Sequence, residues 1–122
     1  DDEITKECVD RFNRIYDELP GYKIIIFSTH PTTIMGHCMS GEREVIYGSC
    51  ERRNKICVLW NKYMREFAEK RGYPYLSFYE DMVDENNITK TEYFFDYCHL
   101  NNVKIGPIMI REFKKIGIDI WG

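Results

Sequence analysis

Residues 22–28 form the stretch that most restricts how this chain can fold. They read YKIIIFS, and the apolar residues from Ile24 to Phe27 follow one another without a polar interruption. A strand with one face in water alternates apolar and polar residues, whereas a strand covered by helices on both faces is apolar throughout. The run therefore predicts a buried strand of a parallel sheet. Residues 73–78, YPYLSF, predict a second strand of the same kind.

Three segments show the spacing of amphipathic helices. Residues 3–19 predict a helix that ends at Pro20, and residues 50–71 predict one that Ser49 caps and Gly72 ends. A third helix is predicted to run from about residue 103 or 107 to residue 116, and because proline fits best in a first turn, its regular part is expected to begin near Gly106. The positions expected to face the core are Ile4, Cys8, Phe12, Ile15 and Leu19 in the first helix and Ile56, Leu59, Trp60, Tyr63, Met64 and Phe67 in the second.

These elements alternate in the order helix, strand, helix, strand, helix. Such alternation predicts an α/β fold whose parallel strands are joined by right-handed crossovers. Ligand sites in α/β folds lie at the carboxyl ends of the strands. Two irregular segments, 29–49 and 86–99, come after the two strands, so both are expected at that edge. Loops of this length are often functional.

Composition limits the class of protein. The chain has 122 residues, of which 43% are hydrophobic and 15% aromatic, so it predicts a single globular domain. Its net charge is −3 and its basic residues are scattered among acids, which argues against a nucleic-acid partner. The longest apolar run, Ile24 to Phe27, is too short to span a membrane. No signal peptide is visible, which slightly favours the cytoplasm.

The five cysteines are widely spaced and form no C-x-x-C pair. Reduced thiols in a cytosolic protein are the simplest interpretation, and one or two disulfides in a secreted protein stay open, since Cys38, Cys50 and Cys98 lie in or beside predicted loops. A zinc site would need four converging ligands, and His37, Cys38, Cys50 and Cys57 match no standard spacing. We therefore predict no metal and no cofactor.

Residues 94–102, FFDYCHLNN, hold a pattern that suits general-base catalysis. Asp96 precedes His99 by three positions, and a carboxylate bonded to an imidazole fixes its tautomer and stabilises the imidazolium that forms. The second ring nitrogen then faces outward to activate a hydroxyl. By itself D-x-x-H arises often by chance, and a surface histidine beside a capping aspartate explains it equally well.

From about Tyr22 to Ile116 the chain resembles the C-terminal half of an SGNH (GDSL-type) hydrolase. The first similar segment is YKIIIFSTHP, which resembles a late strand of the family. The second is RRNKICVLWNKYMREFAEKRGYPYLSFYEDM, which resembles its helix–strand unit, with Asn61 in the helix. The third is FFDYCHLNNVKIGPIMIREF, which resembles its last block. It implies a three-layer α/β/α flavodoxin-like fold with a parallel sheet. It also implies that Asp96 is the acid and His99 the base of a Ser-His-Asp triad.

The chain departs from the family because it has neither the Gly-Asp-Ser motif that supplies the nucleophile nor the two later blocks whose Gly and Asn donate hydrogen bonds to the oxyanion. We therefore expect residues 1–122 to be the C-terminal portion of a larger hydrolase domain, with the catalytic serine in a segment that this chain lacks. A missing N-terminal segment, a second chain or a swapped dimer would complete the sheet. Within the chain, Ser28 is the best-placed serine, but no glycine-flanked turn exposes it.

The resemblance implies hydrolysis of an O-acyl or O-acetyl ester, and a carbohydrate ester is one candidate. We predict that Ser28, His30 and Tyr97 contact the substrate, since the first two follow a buried strand and Tyr97 lies between the expected acid and base. Two alternatives stay open. One is an O-acyltransferase of the same fold, and the other is a non-catalytic α/β module that binds a partner.

Overall fold

The computed structural model describes residues 1–33, 48–95 and 99–119. Its elements follow the order helix, strand, helix, strand, helix, which confirms the order predicted from the sequence. The helices are α1 (Asp2–Asn13), α2 (Cys50–Arg71) and α3 (Asn102–Lys115), the strands are β1 (Ile26–Phe27) and β2 (Tyr75–Leu76), and 3-10 turns cover Arg14–Glu18, Glu80–Met82 and Thr91–Tyr93. The described chain is thus a set of helices around a small parallel sheet.

The two strands pair in parallel, as predicted, but each is shorter than its apolar run. Ile26 lies opposite Tyr75, and Phe27 lies opposite Leu76. The Ile26 N–H donates to the Pro74 carbonyl at 2.9 Å, and the Ser28 N–H donates to the Leu76 carbonyl at 2.8 Å. In the described chain each strand pairs with one other strand. Regular strand structure is therefore limited to the few residues that bond across this pair.

Helix α2 has the ends that the sequence predicts. The Ser49 hydroxyl accepts a hydrogen bond from the Arg52 N–H at 3.1 Å, which caps the first turn. Gly72 has φ 71°, a left-handed conformation that glycine adopts without strain. The Tyr73 N–H then donates to the Ala68 carbonyl at 2.8 Å, which satisfies a carbonyl of the last turn.

The prediction of the core-facing side of the first helix is wrong. Ile4 is 67% exposed and Ile15 is 47% exposed. The α-helix changes to a 3-10 turn at Arg14, so the five predicted positions do not form one continuous stripe. The helix instead buries Val9, together with Thr5, whose hydroxyl donates to the Asp1 carbonyl at 2.6 Å. This local bond allows a polar side chain to be buried.

Helix α3 begins at Asn102, next to the earlier of its two predicted starts and before the regular part expected near Gly106. Its cap is Asn101, whose side-chain oxygen accepts from the Val103 N–H at 3.1 Å, so Pro107 lies in the second turn rather than the first. The proline leaves the Val103 carbonyl without its intrahelical donor, and Val103 is exposed, so water can hydrate this carbonyl. After the helix, the Ile118 N–H donates to the Phe113 carbonyl at 2.9 Å. The C-terminal tail therefore begins as a helix C-cap, and residues 120–122 lie outside the described range.

Helices contact both faces of the strand pair. On one face Ile26 forms a cluster with Val9 of α1 and with Met64 and Ala68 of α2. On the other face the Phe27 ring meets Phe113 of α3, with ring centroids 5.6 Å apart. Burial of apolar side chains on each side stabilises the pair, since two strands alone are marginal in water. This packing explains why the run Ile24 to Phe27 contains no polar residue.

The outer edge of β2 is bonded to α3. The Ser77 N–H donates to Glu112 Oε1 at 2.9 Å, and Glu112 is buried. This carboxylate also contacts Lys115 Nζ at 2.6 Å and Arg111 Nε at 3.1 Å. Charged donors offset the cost of burying the carboxylate, so α3 is held against the strand by a polar contact as well as by apolar packing.

The described helices differ from membrane-spanning helices. None of those in residues 1–33, 48–95 and 99–119 combines the length and the apolar composition that crossing a bilayer requires.

Candidate functional site at the carboxyl edge of the sheet

Residues 28–33 continue β1 beyond the carboxyl end of the sheet and are held at several points. Ser28 is buried, and its hydroxyl accepts a hydrogen bond from the Phe78 N–H at 3.2 Å. The next residue, Thr29, donates its N–H to Asn61 Oδ1 of α2 at 2.7 Å. Such contacts give a loop the rigidity that a binding site needs.

Asn54 of α2 is the centre of a buried polar network behind this segment. Its Oδ1 accepts from the Thr32 N–H at 2.9 Å, and its Nδ2 donates to the Asn87 carbonyl at 2.9 Å and to Thr89 Oγ1 at 3.0 Å. Thr89 in turn donates to the Thr32 carbonyl at 2.5 Å. Asn54 is fully buried and its amide is well satisfied. One side chain therefore fixes the segments that follow both strands.

Arg53 joins the two described ends of the long segment after β1. Its guanidinium donates to the Thr33 carbonyl at 2.7 Å and also to the Gly48 carbonyl. Residues 34–47 lie outside the described range, and Arg53 binds the two residues that flank them. Its Nε also contacts Thr32 Oγ1 at 3.3 Å, so Arg53 extends the network of Asn54.

His30 is half-buried and its ring is fixed by two contacts. Nδ1 lies 2.7 Å from the Pro31 carbonyl oxygen, and because a carbonyl only accepts, Nδ1 carries the proton. In the neutral ring Nε2 is then a hydrogen-bond acceptor. The ring also packs edge-to-face on Phe94, with centroids 6.0 Å apart. These contacts bring His30 next to the segment that carries D-x-x-H.

The described residues on either side of positions 96–98 lie together. Phe94 pairs with Leu100, and the Phe95 N–H donates to the His99 carbonyl at 2.7 Å. His99 is exposed at the end of this closed segment. The predicted acid Asp96 and the predicted substrate contact Tyr97 lie outside the described residues, as does Cys98. The roles of Asp96, His99 and Tyr97 therefore stay predictions.

The three serines in the described ranges make structural contacts. Ser28 bonds to the Phe78 N–H, Ser49 caps α2, and the Ser77 hydroxyl donates to the Glu80 carboxylate. These contacts point Ser28 toward the β2 segment, where its hydroxyl joins the two strand ends. The predicted substrate contact of Ser28 therefore stays a prediction.

The described cysteines show no sign of metal or disulfide chemistry. Cys8, Cys50 and Cys57 are free thiols, and no three His, Cys, Asp or Glu side chains converge within residues 1–33, 48–95 and 99–119. Burial raises the pKa of the Cys57 thiol to about 11, with the nearby Cys50 as a further cause, so Cys57 is protonated at neutral pH. His37 and Cys38 of the alternative zinc set lie outside the described residues.

The positioning residues Asn54 and Arg53 were not predicted from the sequence. A signal was present, since Asn54 and Asn61 are seven residues apart, about two helical turns, on the side of α2 that also carries Met64 and Ala68. Polar residues within such a stripe are buried only when they are bonded. The spacing therefore indicates that the helix bonds to a loop, but not to which loop.

Comparison of the chain with protein-family models, with curated proteins and with solved structures gave no match.

Proposed function

We propose that the chain forms part of a serine ester hydrolase of the SGNH (GDSL) type. The observation that carries this proposal is that the D-x-x-H segment closes beside Phe94, whose ring contacts His30 at the carboxyl edge of the sheet. Functional residues of α/β folds gather at this edge. In the proposal the strand pair and its helices belong to a three-layer α/β/α flavodoxin-like fold that further strands complete.

The proposed chemistry follows from the roles that the resemblance gives to Asp96 and His99. His99 takes the proton of a serine hydroxyl from a segment outside this chain, and the serine oxygen attacks the ester carbonyl carbon. Asp96 stabilises the imidazolium of His99 through the other ring nitrogen. The imidazolium then protonates the leaving alcohol. Water, deprotonated by His99, attacks the acyl-serine, and the acid leaves as the serine regains its proton. The exposure of His99 fits a base that a second segment must reach.

His30 supplies the proposed contact to the substrate. Its Nδ1 proton is held by the Pro31 carbonyl, so Nε2 is an acceptor for a hydroxyl donor. A polyol or sugar ester offers such a hydroxyl next to the acyl group, whereas a simple alkyl ester does not. The proposed substrates are therefore O-acyl or O-acetyl esters of hydroxyl-rich molecules such as carbohydrates.

Fluorophosphonate labelling read by intact mass tests the nucleophile. We expect no adduct on residues 1–122, and an adduct on a longer natural form of the chain that His99→Ala abolishes. His30→Ala is the matched control, because it removes a second imidazole at this edge and should leave labelling intact. An adduct on residues 1–122 that disappears in His99→Ala would instead place the serine within this chain.

A second experiment tests the role of His30 in substrate binding. In the longer form, His30→Phe should raise KM for an acetylated sugar roughly tenfold, because one hydrogen bond is lost. It should leave KM for p-nitrophenyl acetate unchanged, since that ester has no hydroxyl to donate. Equal effects on both esters would show that His30 does not read a hydroxyl.

A partner-binding module without catalysis is the second candidate. It is favoured by the structural contacts of all three serines in the described ranges. If neither residues 1–122 nor the longer form reacts with the fluorophosphonate, this candidate replaces the hydrolase.

A further inference from the structure

Strand β1 has a second edge, opposite β2. Successive main-chain N–H groups of a strand point to opposite sides. The N–H groups of Ile26 and Ser28 bond to the β2 segment, so those of Ile25 and Phe27 point away from it. In residues 1–33, 48–95 and 99–119 no group accepts a hydrogen bond from either of these two. The next N–H on this side, that of Thr29, donates to Asn61 Oδ1, which limits the open edge to Ile25 and Phe27.

At the opposite edge of the sheet, α3 occupies the position just past the end of β2. There the Ser77 N–H donates to Glu112 of α3. A further strand along β2 would have to displace this contact, whereas a strand along β1 would not. Ile25 and Phe27 are half-buried, so their N–H groups lie at an edge that a neighbouring strand would cover.

The position of α1 decides which strand this is. Val9 of α1 shares one cluster with Ile26 and with Met64 of α2, so α1 and α2 lie on the same face of the sheet. Crossovers between parallel strands are right-handed in about 98% of cases. Two right-handed crossovers with their helices on one face advance across the sheet in the same direction. Because α2 leads from β1 to β2, a parallel strand leading into α1 lies on the side of β1 away from β2.

We propose that the outer edge of β1 is the docking site of a parallel β-strand that precedes α1 in the natural chain. Carbonyl groups of this strand accept from the N–H groups of Ile25 and Phe27. The strand has an apolar run of about four to eight residues without alternation, because α1 lies on one face of the edge and Phe113 of α3 on the other. The inference is independent of ester hydrolysis, since it rests only on edge bonding and connectivity.

Amide hydrogen exchange measured by NMR tests the proposal. In residues 1–122 the amides of Ile25 and Phe27 should exchange at least tenfold faster than those of Ile26 and Ser28, which bond to the β2 segment. In a longer natural form that includes the residues before α1, both should slow by at least tenfold while the protein stays monomeric. Unchanged exchange in the longer form would overturn the proposal. Protection that increases with the concentration of residues 1–122 would also overturn it, because a second copy would then occupy the edge.

Two proline substitutions, each removing an N–H from one side of the β1 segment, provide a matched comparison. Ile25→Pro removes an N–H that has no acceptor in the described chain, so it should lower the thermal midpoint of the longer form and leave that of residues 1–122 nearly unchanged. Ile26→Pro removes the bond to Pro74 and should lower the midpoint of both forms. An Ile25→Pro effect of equal size in both forms would contradict the docking of a strand at this edge. Because the proline variants are compared by stability, their result does not depend on the outcome of the fluorophosphonate labelling.

Discussion

Asn54 shows how one buried side chain fixes two loops. Its amide has both a carbonyl acceptor and an Nδ2 donor, and each is used: Oδ1 binds the Thr32 segment after β1, while Nδ2 binds Asn87 and Thr89 after β2. Tyr79 adds a bond from its hydroxyl to the Asn54 carbonyl at 3.2 Å. Networks of this kind stabilise when all members are bonded and cost free energy when one partner is removed.

Asn54→Ala should lower the free energy of unfolding by about 2–4 kcal/mol, because several buried groups lose their partners. Urea unfolding followed by circular dichroism measures this change. Asn101→Ala is the control for loss of an ordinary helix cap and should cost about 1 kcal/mol. Equal losses in the two variants would mean that the Asn54 network contributes little beyond a single bond.

At the residue scale the sequence predicts caps well and long-range partners poorly. Ser49 and Gly72 were predicted correctly because a cap depends on the next few residues alone. The partners of Asn54 lie 22 to 35 residues away along the chain, and no local pattern identifies them. The tautomer of His30 likewise depends on how Pro31 folds back, which spacing does not reveal.

At the scale of elements, α3 is a helix that tolerates an interior proline. The sequence predicted a start near Gly106 because Pro107 suits a first turn, but Asn101 caps the helix four to five residues earlier. Local capping and the burial of Ile105 against Phe78 and Met82 outweigh the bond that Pro107 removes. At this helix, capping and packing therefore outweigh the low helix propensity of proline.

Pro107→Ala should raise the free energy of unfolding by about 1–2 kcal/mol, because it restores the N–H that bonds the Val103 carbonyl in an exposed helix interior. Gly106→Ala should add about 0.5–1 kcal/mol, since nothing lies within 4 Å of the added Cβ. Thermal unfolding measures both. If Pro107→Ala is instead destabilising, the helix begins near Gly106 as the sequence suggested.

For the molecule as a whole, large apolar side chains are exposed on α1 and on the 3-10 turn that follows it. Ile4 and Ile15 are exposed, and Ile4 borders a groove of about 270 Å³ that Cys8, Ile56 and Trp60 also line. Exposed apolar side chains in contiguous groups promote association. The helix period placed Ile4 and Cys8 on one side of α1, as the structure does, but it assigned that side to the core, whereas the buried residues of α1 are Thr5, Val9 and Asn13.

The double substitution Ile4→Lys with Ile15→Lys should therefore reduce self-association without loss of stability. Its free energy of unfolding in urea titration is expected to stay within about 0.5 kcal/mol of that of the parent, because surface substitutions have small effects. Sedimentation velocity measures the association. Val9→Ala is the control at a buried position and should cost about 1–3 kcal/mol. A large loss from the double substitution would show that the two isoleucines are buried in solution.

The bond between Glu112 and the Ser77 N–H makes the attachment of α3 to the sheet sensitive to acid. Burial raises the pKa of the Glu112 carboxyl, but hydrogen bonds from Lys115, the Ser77 N–H and Arg111 outweigh burial and bring the pKa below its ordinary value of 4.5. The folded protein thus binds this proton less readily than the unfolded chain. The contribution is present in full above pH 4.5 and is lost as the pH falls through the lower folded pKa.

Glu112→Gln should cost about 1–2 kcal/mol at pH 7, because the charged hydrogen bonds are lost while the shape is kept, and the difference should shrink toward pH 3. The exposed pair of Glu92 with Lys104 offers a control, since Glu92→Gln should change stability little at any pH. Urea unfolding from pH 3 to pH 7 distinguishes the two variants. A Glu112→Gln cost that does not vary with pH would contradict the linkage. In an acidifying compartment, the edge of β2 would be the part of this sheet that proton uptake weakens.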